Sequence, residues 1–494
     1  MFKIHRTPII PLFFFLSLSS SAAMLNNQEI RFILDDQQTF RQELTLTANR
    51  YLTGDIWSDA PINNVFITDK TNHPIKQFMP LPGHGADIHF RVPASGTFIL
   101  TVEGKPNTEG TIHLSEKSPA DTSLPPKLLS PRLQSLTTAL QHSQKPLTQF
   151  WQEVQETGTP LVEPLQPYSP DDPRGKSILT FLWRGKPNHV RLLGGPSADH
   201  PELIRLADTD VWYLSFIIPN DTQLSYQLAP DVPDFAGTDR EKRRAILATA
   251  QKDPLNHHPW HYLDSLDKYS TWSTVRLPAA HGEKWLDKTP EKKGTVVRHN
   301  VVSKQLGNQR AVYIYRSPEL EKEIPQVKAL FISNPSAKSR ASELACNPTF
   351  SDALVSEILP DLAKEENLGT DNKILIGSSY GGLISACTAI KYPDMFSGVL
   401  SLSGSFWWKE PGEPNQFGQE KWVISQLAQN KTLPVRWFIT AGIFENTWIY
   451  PSNEELRSVL QAKGYSYRFE PVSSSHDMLS WRSALPSGLI YLLN

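Results

Sequence analysis

One segment of the sequence combines the residue types and the spacing of a serine nucleophile. The apolar run Ile374, Leu375 and Ile376 leads into the pattern G-x-S-x-G, with Ser379 at its centre, and a run of small and apolar residues follows. This order predicts a strand, a sharp turn and a helix, with Ser379 exposed at the end of a parallel sheet. A serine hydroxyl attacks an ester only with the help of a base, an orienting acid and oxyanion donors. The alternative is a glycine-rich turn that only packs a helix onto a sheet.

An acid and then a histidine follow the nucleophile in sheets of this kind. Glu445 lies just beyond the carboxyl end of a predicted strand and is the candidate acid. Glu454 and Glu455 are the alternative, although their positions are typical of solvated carboxylates at the start of a helix. His476 lies in a polar loop after the last predicted strand and is the candidate base. A capping or surface role is the alternative for His476, but no other histidine follows Ser379.

The oxyanion of an ester intermediate needs backbone N–H donors near the nucleophile. The N–H of Tyr380 is one candidate, because it begins the predicted helix and the helix dipole favours negative charge there. The second donor is expected from a loop after an earlier strand that ends at Ile332. Asn334, Pro335 and Ser336 occupy that loop, and the sequence does not indicate which of them provides the second donor.

Composition excludes several classes of function. The 494 residues suffice for about three domains, and the net charge of −2 gives no electrostatic footprint for nucleic acid. His257, His258 and His261 have the appearance of a metal cluster, but no fourth ligand is well placed beside them, so a loop or packing role is preferred. We therefore expect no metal site.

The first residues have the pattern of a signal peptide. Basic residues precede an apolar run, and small residues up to Ala23 suit a signal peptidase. Residues 1–23 are therefore expected to be removed on export. A retained membrane anchor is the alternative, but the run is shorter than the ~20 residues of a spanning helix, so no stable membrane insertion is expected. Cys346 and Cys387 could pair in an oxidising compartment, and their spacing leaves this open.

Three domains are predicted after the signal peptide. Residues 24–117 alternate apolar and polar side chains in short runs, which predicts a small antiparallel β-sandwich. This segment resembles in character the pre-peptidase C-terminal accessory domains of secreted bacterial enzymes. After a proline-rich linker, residues 128–290 predict two helices and a second β-sandwich, whose strands end near Asn256 and are followed by mostly irregular chain. Residues 294–494 alternate strands and helices, which predicts a mostly parallel sheet covered on both faces.

Three motifs together resemble the enterochelin (enterobactin) esterases. They are the nucleophile segment through Trp407 and Trp408, SRASELACNPTF from Ser339 to Phe350, and SHDMLSWR from Ser475 to Arg482. WRGKP and DPLNHHPW resemble that family's amino-terminal domain, so the likeness covers about residues 130–494. It implies an α/β-hydrolase domain preceded by a β-sandwich-like domain. With the additional β-sandwich predicted from residues 24–117, the expected fold is an α/β-hydrolase domain preceded by two β-sandwich-like domains.

The resemblance implies an esterase that opens the trilactone backbone of catecholate siderophores, often as the iron complex. By this likeness Ser379 is the nucleophile, His476 is the base, and Arg340 contacts the anionic catecholates. Trp407 and Trp408 would line the site, with core or lid packing as the alternative. No cofactor is expected, since iron enters only as part of the substrate. Together with the predicted signal peptide, the resemblance implies action in the periplasm.

The sequence departs from the pattern of this family at one place, and this departure leaves the function open. Many family members have a further strand and a glycine-containing loop before the segment that begins at Ser339, and here only Ala329 to Ile332 separates it from the first hairpin. The alternatives are therefore a general carboxylesterase of the esterase D type and a periplasmic siderophore binder that has lost hydrolysis. The presence of both Ser379 and His476 argues against the binder. The sequence does not indicate the oligomeric state.

Overall fold

A computed structural model describes three regions of the chain in order, two rich in strands and one that alternates strands and helices. The described residues are 28–494 apart from 49, 80–81, 118–127, 144, 166–174, 262–266, 281–292, 319–326, 367, 369–371, 411–420 and 446–447. The predicted signal peptide and most of the predicted linker lie outside them. We name the regions the first β-region (28–117), the second β-region (131–276) and the C-terminal region (295–493).

The first β-region is one antiparallel sheet folded around a single core. Its strands are β1 (Gln28–Ile33), β2 (Thr39–Leu46), β3 (Tyr51–Asp69), β4 (Pro74–Met79), β5 (Gly83–Arg91), β6 (Gly96–Gly104) and β7 (Glu109–Lys117). The long β3 pairs with β5 and β7 in its first half and with β4 and β6 in its second half. The pairing is irregular around Pro61, which has no N–H for a ladder. Both halves bury side chains in one cluster, among them Leu52 and Ile67.

The second β-region is a sandwich of two sheets preceded by two helices. Its elements are α1 (Pro131–Leu140), α2 (Lys145–Thr157), β8 (Leu161–Pro164), β9 (Lys176–Arg184), β10 (Val190–Gly194), β11 (Ile204–Arg205), β12 (Val211–Pro219), β13 (Gln223–Pro230), α3 (Asp239–Thr249), β14 (Pro259–His261) and β15 (Thr271–Arg276). One sheet has the order β10-β13-β15-β14 and the other β11-β12-β9-β8. Phe181 of one sheet and Tyr226 of the other share one buried cluster, so the sheets pack face to face.

The prediction that strands end near Asn256 is wrong, because β14 and β15 extend the sheet beside β13. The buried positions of β15 include Thr271 and Ser273 as well as Val275. Polar residues on the buried face hide the apolar alternation from which a strand is recognised.

The two β-regions are held together by specific contacts. Arg91 forms an ion pair with Asp231 at 2.8 Å. The rings of Tyr51 and Phe235 stack with centroids 5.6 Å apart. Lys76 Nζ donates a hydrogen bond to a carbonyl of α3 at 2.8 Å. The first β-region is therefore docked on the second through both charged and aromatic contacts.

The C-terminal region contains a parallel sheet flanked by helices. Its elements are β16 (Thr295–Ser303), β17 (Asn308–Arg316), β18 (Lys328–Ile332), α4 (Ala337–Glu343), α5 (Pro348–Ala353), α6 (Leu359–Glu366), β19 (Ile374–Ser378), α7 (Tyr380–Lys391), β20 (Gly398–Leu402), α8 (Trp422–Gln429), β21 (Arg436–Gly442), α9 (Ile449–Ala462), β22 (Tyr467–Val472) and α10 (Met478–Leu493). A π-helical turn, Leu354–Ile358, joins α5 to α6. β19 to β22 are parallel neighbours in chain order. Their carboxyl ends therefore lie along one edge.

The expectation of one mostly parallel sheet in this region needs correction. β16, β17 and β18 form a separate antiparallel sheet, and within the described residues no ladder joins β18 to β19. Phe331 on β18 is 60% exposed and Ile376 on β19 is 44% exposed, as expected for strands without a neighbour on one side. The α/β class with two preceding β-sandwich-like regions is nevertheless confirmed.

The described helices are too short or too polar to cross a bilayer.

Candidate active site

Ser379 stands in the turn between β19 and α7 with a backbone conformation that non-glycine residues rarely adopt. Its φ is 57° and its ψ is −122°. A Cβ on Gly377 would lie 2.2 Å from the Gly381 carbonyl, and one on Gly382 would lie 2.6 Å from Ser401 Oγ. Gly381 itself has open space for a Cβ. The tight turn therefore depends on Gly377 and Gly382 rather than on both glycines of the pattern.

His476 and Glu445 meet at the sheet edge where Ser379 lies. Glu445 follows β21, and His476 follows β22. His476 Nδ1 is 3.0 Å from Glu445 Oε2, and the glutamate side chain is fully buried. Because an ionised carboxylate only accepts hydrogen bonds, Nδ1 carries the proton and Nε2 remains an acceptor. The imidazole is thereby in the tautomer that can take a proton from a serine.

Glu445 is fixed by two further donors. Its Oε1 accepts hydrogen bonds from the Gly442 N–H, at 2.8 Å, and from Ser403 Oγ. The alternative Glu454 bonds instead to Tyr450 and Arg457 on its own helix, and Glu455 bonds to Lys421. Of the three carboxylates considered, Glu445 alone contacts the histidine.

Three residues that the sequence analysis did not single out contact Ser379, His476 or Glu445. Trp481 stands edge-on to the His476 ring, with centroids 4.8 Å apart, and its Nε1 donates to Ser403 Oγ at 2.8 Å. Ser405 Oγ lies 3.4 Å from Ser379 Oγ, and the Ser405 N–H donates to the Ser379 carbonyl. Ser403 and Ser405 follow the end of β20 in the run SLSGSFWW. Their position, just after the carboxyl end of β20, was the feature of the sequence that could have identified Ser403 and Ser405.

The hydroxyl of Ser379 is not bonded to His476 in this structure. Its one hydrogen bond recorded among the described side chains is the contact with Ser405 Oγ. Catalytic hydrogen bonds are often long before substrate binds and tighten in the complex with substrate.

The second oxyanion donor is not Pro335 or Ser336. Pro335 has no backbone N–H, and the Ser336 N–H is engaged by Ser339 Oγ in the capping box of α4. The amide side chain of Asn334 donates to Glu343 at 3.3 Å. Tyr380, at the first position of α7, keeps its predicted place at the helix start.

Arg340 and aromatic side chains form a continuous surface beside Ser379. The Arg340 guanidinium is 5.9 Å from the centroid of the Tyr380 ring. Tyr380 is 6.1 Å from Trp407, which is 6.0 Å from Trp448. Trp448 is 62% exposed and was not predicted. We call Arg340, Tyr380, Trp407 and Trp448 the aromatic rim.

Helix α4, which carries Arg340, is held by a buried ion pair. Arg310 on β17 binds Glu343 through two nitrogens, at 2.8 and 3.1 Å, and its side chain is fully buried. This bidentate pair fixes the end of α4 to the antiparallel sheet.

Trp408 lies apart from the aromatic rim. It packs against the core of the C-terminal region and lines a cavity of about 270 Å³ beside Cys346 and Cys387. These two cysteines are joined in a disulfide, with Cα atoms 5.5 Å apart. The bond, which the sequence left open, links the loop after α4 to α7.

Two of the three candidate metal-binding histidines have separate partners for their rings. His257 Nε2 lies 3.1 Å from the Gln155 carbonyl, and His261 Nδ1 lies 3.1 Å from Thr271 Oγ1. Within the described residues, no group of three or more potential ligands could hold a metal ion.

Comparison with known proteins identifies two domains. Residues 178–286 match the family model for the N-terminal domain of enterochelin esterase, and residues 308–492 match the model for a putative esterase. The iron(III) enterobactin esterase of Dickeya dadantii is 27% identical over 433 residues, which are 70% of this chain and 92% of that protein. The iron(III) salmochelin esterase of Escherichia coli is 26% identical over 399 residues, 69% of this chain and 93% of that protein.

Solved structures agree with these matches. The crystal structure of ferric enterobactin esterase from Salmonella typhimurium is 25% identical, with a TM-score of 0.55 over 67% of this chain and 96% of that chain. Both family models begin after the first β-region, which is therefore an addition to the matched domains. The chain therefore contains an enterochelin esterase N-terminal domain followed by an esterase domain, and it is similar over about two thirds of its length to iron(III) enterobactin esterases.

Proposed function

We propose that the protein is a serine esterase that hydrolyses the trilactone ester bonds of a ferric catecholate siderophore such as enterobactin. The observation that carries the proposal is the position of Ser379 at the same sheet edge as the His476–Glu445 pair. The family relationship supports ester hydrolysis, and relatives named for enterobactin and salmochelin support the substrate class.

The proposed reaction has two stages. Ser379 Oγ attacks the ester carbonyl carbon while its proton passes to His476 Nε2, and the negative charge on the carbonyl oxygen faces the Tyr380 N–H. The ester C–O bond then breaks, and the proton on Nε2 goes to the departing alkoxide. Water attacks the acyl-serine in the same manner and releases the acid. Glu445 stabilises the imidazolium that forms in each stage.

The aromatic rim is proposed to bind the siderophore. A ferric tris-catecholate has negative charge and flat aromatic faces, which suit the guanidinium of Arg340 and the rings of Trp407 and Trp448. We do not include Trp408 in this proposed role, because it lines the cavity beside the disulfide and packs on the core. Iron is bound by the substrate rather than by the protein in this scheme.

The enzyme is further proposed to act in the periplasm. Support comes from the signal-peptide pattern of residues 1–23 and from the disulfide, which is typical of exported proteins. Fractionation followed by intact mass measurement should find a periplasmic chain that begins at Met24. A full-length chain in the cytoplasm would contradict export.

Product analysis tests the reaction. The purified protein is incubated with free and iron-loaded enterobactin, and the products are identified by mass. We expect linear trimer or smaller units from the parent and from a Ser378→Ala control, but none from Ser379→Ala. Binding of the iron complex without products would favour a siderophore binder instead. Hydrolysis of simple aryl esters alone would favour a general carboxylesterase.

A further inference from the structure

The residue after the candidate base is held by a different region of the chain. Asp477 follows His476 directly and is 4% exposed. Its carboxylate accepts hydrogen bonds from Ser225 Oγ, at 2.9 Å, and from the Ser225 backbone N–H. Ser225 lies on β13 in the second β-region. The loop that carries the base is therefore fastened across a domain boundary.

The geometry of β13 explains why its N–H groups are available. β10 pairs with β13 only between Tyr226 and Pro230, so this ladder does not use the N–H groups at the beginning of β13, although the Gly195 N–H still donates to the Ser225 carbonyl. N–H groups two residues apart point to the same edge of a strand. The Gln223 N–H donates to the Ser473 carbonyl at 3.2 Å, two residues before Ser225 binds Asp477. The loop 473–477 therefore docks along this edge at two points.

The loop of the acid and the helix behind the base are also anchored in the second β-region. Phe444, next to Glu445, packs against the buried cluster of the sandwich. Arg482, next to Trp481, places its guanidinium 5.2 Å from the centroid of the Trp260 ring on β14. The sequence neighbours of His476 and of the two side chains that contact its ring thus all contact the second β-region.

Asp477 is sensitive to the loss of these donors because it is buried. Burial raises the pKa of its carboxyl, and the hydrogen bonds from the N–H groups of Ser225 and Leu479 oppose that shift. Asp477 also caps the N-terminus of α10 through Leu479 N–H, at 2.8 Å. A buried carboxylate that loses a donor either carries the cost of desolvation or moves toward another partner.

We infer that the second β-region positions the catalytic base, with Ser225 on β13 holding Asp477 and thereby fixing His476 at the sheet edge where Ser379 lies. The inference rests on the proposed role of His476 as the base. Ser225 and Asp477 are positioning residues, since neither touches the reacting atoms. A displacement of about 1 Å in a catalytic group costs on the order of 100-fold in rate. The domain interface therefore contributes to kcat and not only to substrate binding.

Kinetics on a small aryl ester, which does not need the aromatic rim, test this role. Ser225→Ala and Asp477→Asn should each lower kcat by about 10- to 100-fold with KM changed by less than about twofold. Asn retains the ability to cap α10, so its effect would report the lost anchor. Ser225→Thr, which restores the hydroxyl, should recover most of kcat.

The matched control is Ser273→Ala, on the neighbouring strand β15. Ser273 is equally buried, and its hydroxyl bonds to the Asp253 N–H within the second β-region. This variant tests whether a lost hydroxyl in the same sheet lowers kcat through stability alone. We expect its kcat to equal that of the parent. An equal loss in Ser225→Ala and Ser273→Ala would overturn the inference.

Hydrogen exchange separates this inference from the proposed function. Amides of residues 473–479 should exchange faster in Ser225→Ala than in the parent or in Ser273→Ala, a readout that does not require catalysis. Absence of hydrolysis by the parent would refute the proposed function while the exchange result still reports the anchor. Unchanged exchange together with unchanged kcat in Ser225→Ala would refute the positioning role.

Discussion

Replacing Glu445 by glutamine should lower activity far more than the loss of one hydrogen bond suggests. Oε1 of Glu445 accepts from both the Gly442 N–H and Ser403 Oγ, and Trp481 Nε1 donates to Ser403, which directs the Ser403 hydroxyl toward the carboxylate. A glutamine must therefore keep its carbonyl oxygen at the Oε1 position. Its NH₂ group then faces His476 Nδ1.

This orientation reverses the roles of the two ring nitrogens. Nδ1 becomes the acceptor, the proton moves to Nε2, and the imidazole can no longer take the proton of Ser379. The same amide substitution at the acid of a serine protease triad lowers kcat by about 10⁴. Because His476 is about one third exposed and water can assist it, we expect about 10³, which is about 4 kcal/mol in activation free energy.

The assay is kcat/KM for Glu445→Gln and parent on the same ester, with folding checked by circular dichroism. The matched control is Glu454→Gln, whose carboxylate bonds to Tyr450 and Arg457 on the surface of α9, away from the histidine. The control should retain parental activity. A folded Glu445→Gln protein within about fivefold of the parent would refute the tautomer argument.

Three further predictions concern the disulfide, the aromatic rim and the interface between the β-regions. Replacing Cys346 and Cys387 by alanine should lower the free energy of unfolding by about 4 kcal/mol, because the disulfide closes a loop with a sequence separation of 41. Guanidinium melts measure this change, and an unchanged midpoint would contradict it. Trp448→Ala should raise KM for the iron-loaded siderophore about fivefold and leave KM for an aryl ester unchanged. Equal changes in KM for both substrates would show that Trp448 does not bind the siderophore. Burial lowers the pKa of His89, whose ring stacks on Tyr51 at this interface, from 6.5 to about 4, so stability is full above pH 6.5 and on the order of 2 kcal/mol of it should be lost as the pH falls toward 4. In urea melts, the free energy of unfolding of His89→Gln should fall less with decreasing pH than that of the parent. An equal fall in both proteins would show that His89 is not the source of the acid sensitivity.

The residues of the candidate site that could be predicted are those marked by a local sequence pattern or by their order along the chain. The G-x-S-x-G turn needs small residues at fixed positions, and the acid and histidine follow strand ends in a known order, so Ser379, Glu445 and His476 could each be named. Ser403 and Trp481 could not, because their importance depends on hydrogen bonds that form only after distant strands come together.

The same reasoning explains the errors in the fold. β15 was missed because its buried face carries Thr271 and Ser273. The separation of the two sheets in the C-terminal region depends on which strands pair, and hydrophobic periodicity does not encode pairing partners. Trp407 and Trp408 are adjacent in sequence yet face different neighbours, so their types alone could not assign both to the site.

Trapping the acyl-enzyme tests the central claim most directly. The protein is mixed with iron-loaded enterobactin, quenched in acid within the first turnover, digested and analysed by mass. We expect an acyl adduct on the peptide that contains Ser379 in the parent and in Ser378→Ala, and neither adduct nor turnover in Ser379→Ala. Hydrolysis by Ser379→Ala at the parental rate, or an adduct on a different residue, would contradict the assignment of Ser379 as the nucleophile.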